Sequence, residues 1–163
     1  ISNNSKSFAL QRAGKENIPH CHISSVKYPE QNDLDNAILN KFREHDVNLV
    51  VLAGYMKIIG PILLNAYKGR ILNIHPALLP KYGGKGMYGK FVHEAVLKAQ
   101  EKESGPTVHI IDEEYDKGKI LGQKKVPVLL DDTVETLSER VLKQEHILYP
   151  EIIRKISLDE IKL

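Results

Sequence analysis

The chain has 163 residues, 42% hydrophobic and 27% charged, which suffices for one ordinary globular domain spanning 1–163 with a real core. Its formal charge of +2 is spread out, with no long Lys/Arg run. Neither nucleic acid nor a membrane surface is therefore indicated as a partner, and small anionic substrates remain compatible. The lone Cys21 excludes an internal disulfide; with no signal-peptide pattern visible, it sets the cytoplasm as the expected location.

Taken in order, Ser5 to Gly14 reads as a short helix, and Pro19 leads into a strand near His20 to Ile23. Asp33 to Asp46 places Leu34, Ala37, Ile38 and Phe42 on one helical face, and the β-forming run Asn48 to Ala53 follows, ending at Gly54. The longest apolar stretch, Val47 to Met56, is too short to span a bilayer. Pro61 to Tyr67 is a short helix, and Arg70 to His75 is a buried strand stopped by Pro76. Two prolines and four glycines make Pro76 to Gly89 a loop. Phe91 to Lys102 returns to helix. Thr107 to Asp112 and Ile120 to Leu130 are strands around an acidic turn, and Asp132 with Glu135 forms the capping box of a final helix. Alternating helix and strand periods define an α/β domain, an open, mostly parallel twisted sheet with helices on both faces.

Two local patterns point away from their usual meaning. Gly84-Lys85-Gly86-Met87-Tyr88-Gly89-Lys90 satisfies the G-x-G-x-x-G string and most of a P-loop. However, Phe91 stands where a P-loop needs Ser or Thr, and no strand precedes the glycines, so the bland reading is a flexible lid. His20 and His22 flank Cys21 on one strand, but no third ligand lies nearby in sequence, which leaves them as surface or core histidines.

Asn73 and His75 alternate with Ile74, so both point to one face at the carboxyl end of a strand, where open α/β sheets place their sites. An isolated pair of this kind would be a hydrogen-bonded core Asn and His. The continuation Asn73-Ile74-His75-Pro76-Ala77-Leu78-Leu79-Pro80 changes that reading, because it resembles the signature N-x-H-P-[SA]-L-L-P of the folate-dependent formyltransferases. Val51-Leu52-Ala53-Gly54-Tyr55-Met56-Lys57-Ile58-Ile59, Val108 to Asp112, Tyr115-Asp116-Lys117-Gly118 and Gln144-Glu145-His146 are similar to further segments of the glycinamide ribonucleotide transformylase branch. The Arg-Gly-Ala-type loop and C-terminal domain usual in methionyl-tRNA formyltransferases are not seen, and Lys81 to Gly86 favours the nucleotide-substrate branch.

The resemblance implies catalytic roles for Asn73, His75 and Asp116, the last otherwise an ordinary turn aspartate. It implies N10-formyltetrahydrofolate as co-substrate, glycinamide ribonucleotide as acceptor in purine biosynthesis, and no metal. On the folate side it implicates Met56, Lys57, Ile58, Ile59, Leu72, Ile111, Asp112 and Asp116; on the ribonucleotide side, Gly54, Ile74, Pro76 and Glu145. Met56, Leu72 and Ile111 read equally as plain core, and Glu145 as a solvated helix residue. The chemistry calls for such a set: an oxyanion needs an amide donor such as Asn73, and a departing ammonium proton needs a base such as His75, supported by Asp116. Formyl transfer to another amine such as methionyl-tRNA, hydrolysis of the formyl-folate and a noncatalytic folate- or nucleotide-binding module are the competing readings.

Ile1-Ser2-Asn3-Asn4 is similar to the end of the family's second strand. The first strand and its phosphate-binding loop are thus expected in about 25–30 residues upstream of Ile1.

Overall fold

In the computed structural model, residues 1–114 and 116–163 are described. The chain falls into two compact units.

The first unit comprises residues 1–48 and 57–67. Its helices are α1 (Phe8–Lys15), α2 (Gln31–Glu44) and α3 (Pro61–Ala66). The apolar stripe of α2 buries Leu34, Ile38 and Leu39, and Leu63 and Tyr67 are buried in the same unit. Phe42 and Tyr67 meet edge to face at 5.5 Å, and the Tyr67 hydroxyl donates to the Val47 carbonyl at 2.9 Å. Asp35, 1% exposed, serves the start of α3: its Oδ2 accepts from the backbone amides of Ile62 and Leu63, and its Oδ1 from Gln31 Nε2. A carboxylate there satisfies amides that have no partner within the helix and sits at the positive end of its dipole. The strand expected near His20 to Ile23 shrinks to one parallel bridge between Ser2 and His22. The ring nitrogens of His20 and His22 face the carbonyls of Ile18 and Asn3, so the two imidazoles serve local backbone.

The second unit, residues 49–56 and 68–163, carries the sheet. Its strands are β1 (Val50–Leu52), β2 (Ile71–His75), β3 (Glu103–Ser104), β4 (Thr107–Ile110), β5 (Ile120–Gln123) and β6 (Val126–Pro127), with helices α4 (Lys90–Lys98) and α5 (Val134–Ser157). The main sheet runs β1-β2-β4-β5, and β3 pairs with β6 separately. The α/β class holds, but the sheet is mixed where a mostly parallel one was expected. Only β1 and β2 run parallel among its described pairs; β4 lies antiparallel to both β2 and β5. Thr107 enters β4 opposite His75, where β2 ends, so the chain must run back along β2. The connection 111–119 is then too short for the crossover that parallel strands require.

Strand alternation splits β2 and β4 into two faces. Leu72, Val108 and Ile110 pack against Leu148, Tyr149 and Ile152 of α5, with Ile74 beside them. The Tyr149 hydroxyl lies 2.8 and 3.0 Å from the carbonyls of Leu52 and Leu72, fixing α5 to β1 and β2. Asn73, His75, Thr107 and His109 occupy the opposite face, and α4 carries buried His93 within electrostatic reach of His75.

Element ends moved for local reasons. The expected strand Ile120 to Leu130 is two strands, because the Lys124 amide turns to the Pro106 carbonyl. The cap of α5 is Thr133 with Thr136. Asp132 instead holds Arg140 through both carboxylate oxygens and accepts from the Leu129 amide, which pulls its pKa far below the ordinary range.

Candidate active site

The polar face is assembled by pairing β2 with β4. Asn73 lies opposite His109 and His75 opposite Thr107, so two sequence-distant segments alternate in step. Thr107, fully buried, locks the following loop: its hydroxyl donates to the Ala77 carbonyl at 2.6 Å and accepts from the Leu79 amide and from Gln123 Nε2. The loop from Pro76 is thereby held at the end of β2.

Asp116 reaches this face from the turn after β4. Its backbone is left-handed, φ 56°, a conformation uncommon outside glycine that aspartate tolerates better than most residues. Its Oδ2 accepts from the Gly84 amide at 2.8 Å and lies 3.7 Å from His75 Nδ1; its Oδ1 lies 3.5 Å from His109 Nε2. The glycines of the 83–89 loop acquire a purpose here. A Cβ on Gly83 would come within 2.7 Å of Leu79 Cδ2 and 3.0 Å of Asp116 Cβ, and Gly84 has φ 98°. Gly83 and Gly84 are thus the backbone cradle of Asp116.

Hydrogen-bond roles fix both histidine tautomers. His75 Nε2 stands 2.7 Å from the Tyr82 carbonyl, which can only accept, so Nε2 carries the proton and Nδ1 faces Asp116. His109 Nδ1 stands 3.1 Å from the Ile110 carbonyl, so Nδ1 carries its proton and Nε2 accepts from the Asn73 amide at 3.2 Å. One Asn73 N–H is thus used, and among the described residues the other has no acceptor and remains to donate. Burial pushes the His75 pKa down, against the opposing pull of Asp116 and the Tyr82 carbonyl. Burial likewise lowers the His109 pKa, against its own backbone bond and Asp116, and lowers the His93 pKa, assisted by His75. All three favour the neutral ring.

Asn73, His75 and Asp116, foreseen from sequence, are thus brought together. His109 and Tyr82 were missed. The alternation Thr107-Val108-His109-Ile110 could have revealed His109, but a main-chain carbonyl such as that of Tyr82 has no sequence signature. The other predicted residues are more scattered. Met56 is exposed, Ile111 is half-buried at the end of β4, and Asp112 is exposed with Oδ1 accepting from the Glu114 amide. Leu72 has no exposed surface and packs in the core beneath α5. Ile74, half-buried, also packs its side chain against the cluster beneath α5. Gly54 ends the β1 segment with φ 65°, Pro76 is half-buried in the signature loop, and Glu145 is half-buried on α5, its pKa raised by desolvation. Lys57, Ile58 and Ile59 belong to the first unit. Tyr115 lies outside the described residues.

A cavity of about 280 Å³ is lined by Leu78, Pro80, Tyr82, Val96, Glu101 and Ser104 among others, and by none of the three catalytic candidates. Among the described residues, no three His, Cys, Asp or Glu side chains gather as a metal-binding group, and no helix is long and apolar enough to cross a membrane.

A strand-end amide and imidazole backed by a turn carboxylate, placed on an α/β sheet, are groups of the kind that acyl transfer uses. The formyl transferase family matches residues 1–153, and the chain belongs to that family. Among its relatives it is 42% identical over 163 residues to the chloroplastic phosphoribosylglycinamide formyltransferase of Arabidopsis thaliana, matching 99% of this chain and 56% of the plant protein. It is 37% identical to the phosphoribosylglycinamide formyltransferase of Haemophilus influenzae, covering all of this chain and 74% of that one. The crystal structure of glycinamide ribonucleotide transformylase 1 from Symbiobacterium toebii superposes with a TM-score of 0.91 at 36% identity, covering 100% of this chain and 74% of that chain. The chain spans little more than half the length of the plant relative.

Proposed function

We propose that the chain forms the catalytic part of an enzyme that moves a formyl group from N10-formyltetrahydrofolate to the amine of glycinamide ribonucleotide, a step of purine biosynthesis. The observation that carries this reading is the convergence of Asn73, His75 and Asp116 on one face of β2 and β4. An amide donor, a neutral imidazole and a carboxylate fit a substrate that supplies an activated formyl carbon. The free Asn73 N–H donates to the oxygen on which charge develops. His75 takes up the amine's proton at Nδ1, where Asp116 stabilises the resulting imidazolium, and passes it on to the leaving nitrogen. His109 holds the Asn73 amide in place through Nε2.

On the folate side, Met56, Lys57, Ile58, Ile59, Leu72, Ile111, Asp112 and Asp116 are assigned by the resemblance. Gly54, Ile74, Pro76 and Glu145 are assigned to the ribonucleotide. The test is a comparison of three acceptors with formyl-folate as donor: glycinamide ribonucleotide, charged initiator tRNA and water. Fastest transfer to the ribonucleotide is expected; faster transfer to tRNA or water overturns the substrate assignment.

A further inference from the structure

We propose that Glu101, outside the catalytic face, is a positioning residue that acts through Tyr82 to hold His75 in its Nε2-protonated tautomer, an inference that rests on the reading of His75 as the proton carrier. The link runs through three contacts. His75 Nε2 donates to the Tyr82 carbonyl at 2.7 Å. The Tyr82 hydroxyl donates to Glu101 Oε1 at 2.9 Å, and Lys81 Nζ meets the same oxygen at 2.8 Å.

Tyr82 needs this anchor. It is a bulky residue at φ 57°, in a loop otherwise rich in glycine, and this left-handed backbone is what aims its carbonyl at the imidazole. A tyrosine held only by its own backbone would relax from that conformation. The phenol, tied to a carboxylate beyond the end of α4 and packed with Leu97 and Val128 against the apolar cluster of Val96, Val126, Leu137 and Val141, prevents this. The carbonyl bond decides which His75 nitrogen is bare. With Nε2 occupied, Nδ1 is the position open to a proton and faces Asp116. Without it, the proton could sit on Nδ1 against Asp116, and His75 would have no base on that side. The two bonds to Glu101 differ in weight. Lys81 is exposed and its ion pair is a surface one, worth little, whereas the Tyr82 hydroxyl bond is half-buried.

The test uses Tyr82→Phe, Glu101→Ala, Glu101→Gln and Lys81→Met in the full-length enzyme. Nitrogen NMR of the His75 ring reads the tautomer without reference to any substrate, and kcat and KM are measured across pH. Among the described residues, Asp116 from the turn, His109 from β4 and His93 from α4 are the titratable groups facing His75, and all four variants leave them in place. Tyr82→Phe and Glu101→Ala are expected to shift the ring toward Nδ1-protonation, speed exchange of its N–H and lower kcat by ~3–10-fold with KM little changed, the scale of one net hydrogen bond. Because the Tyr82 carbonyl favours the protonated ring, its loss moves the acid limb of the kcat profile to lower pH. Glu101→Gln, which keeps an acceptor for the phenol, and Lys81→Met should match the parent. An unchanged His75 tautomer in both Tyr82→Phe and Glu101→Ala overturns the proposal, as does a Glu101→Gln defect equal to that of Glu101→Ala. If the parent protein fails to transfer formyl groups, the functional reading falls while the NMR comparison still decides the positioning role.

Discussion

His75 has both ring nitrogens assigned, one to a carbonyl and one to a carboxylate, and burial keeps the ring neutral. A group so placed contributes to proton movement and little to ground-state binding. His75→Ala and Asp116→Ala are therefore expected to lower turnover by ~10²–10⁴-fold while folate affinity, measured by fluorescence titration, stays close to the parent's. Near-parental kcat at saturating substrates in either variant would remove that residue from the mechanism. Asn73→Asp keeps the size of the side chain but presents a carboxylate to a developing negative charge and to the bare Nε2 of His109. Loss of one oxyanion donor costs ~10²–10³-fold, and like charge should deepen that figure. An Asn73→Asp variant with turnover within a few-fold of the parent would show that the amide faces no developing charge.

At the scale of elements, the long amphipathic segments were readable and the short ones were not. α2 and α5 follow from apolar spacing, and β2 from a β-forming run stopped by Pro76. β3 has two residues and no period to detect, and the antiparallel entry of β4 is set by where Thr107 docks on the signature loop, a tertiary fact. Asn73 and His75 were legible because strand alternation puts them side by side, and Asp116 only because its turn resembles a known one. Asp35 was unreadable: a single aspartate in a helix gives no hint that a sequence-distant helix, α3, depends on it. That dependence is testable at Gly60, where an added Cβ would lie 2.2 Å from Asp35 Oδ2 and 2.4 Å from Oδ1. Gly60→Ala must displace the carboxylate from the amides of Ile62 and Leu63, at a cost of about 1.5–3 kcal/mol for a charged hydrogen-bond acceptor. Urea unfolding should show this as a lower midpoint. Asp35→Asn, which keeps one carbonyl acceptor, should lose less, and a Gly60→Ala midpoint equal to the parent's would mean that the contact is dispensable.

For the molecule as a whole, three buried histidines, His75, His93 and His109, share one face of the sheet-bearing unit, and all have pKa values below the ordinary 6.5. The sign of their effect on stability follows from linkage. In the unfolded chain each takes up a proton as pH falls through about 6.5, while in the folded protein each resists until a lower pH. Between those limits the unfolded state binds more protons, so stability is fully present above 6.5 and is lost as pH falls below it, by up to about 1.4 kcal/mol per pH unit for each histidine. Glu145 acts in the opposite sense, since its raised pKa makes the folded state the better proton acceptor. The strongly depressed Asp132 matters only at far lower pH. A single-site comparison separates these contributions. Among the described residues His93 Nδ1, which is buried, has no hydrogen-bond partner, so His93→Gln removes a titrating ring without breaking a described bond at that atom. Urea midpoints measured from pH 7.5 down to 5 should fall less steeply for His93→Gln than for the parent. Parallel curves would show that His93 charges as readily in the folded protein as in the unfolded chain and adds nothing to the acid sensitivity.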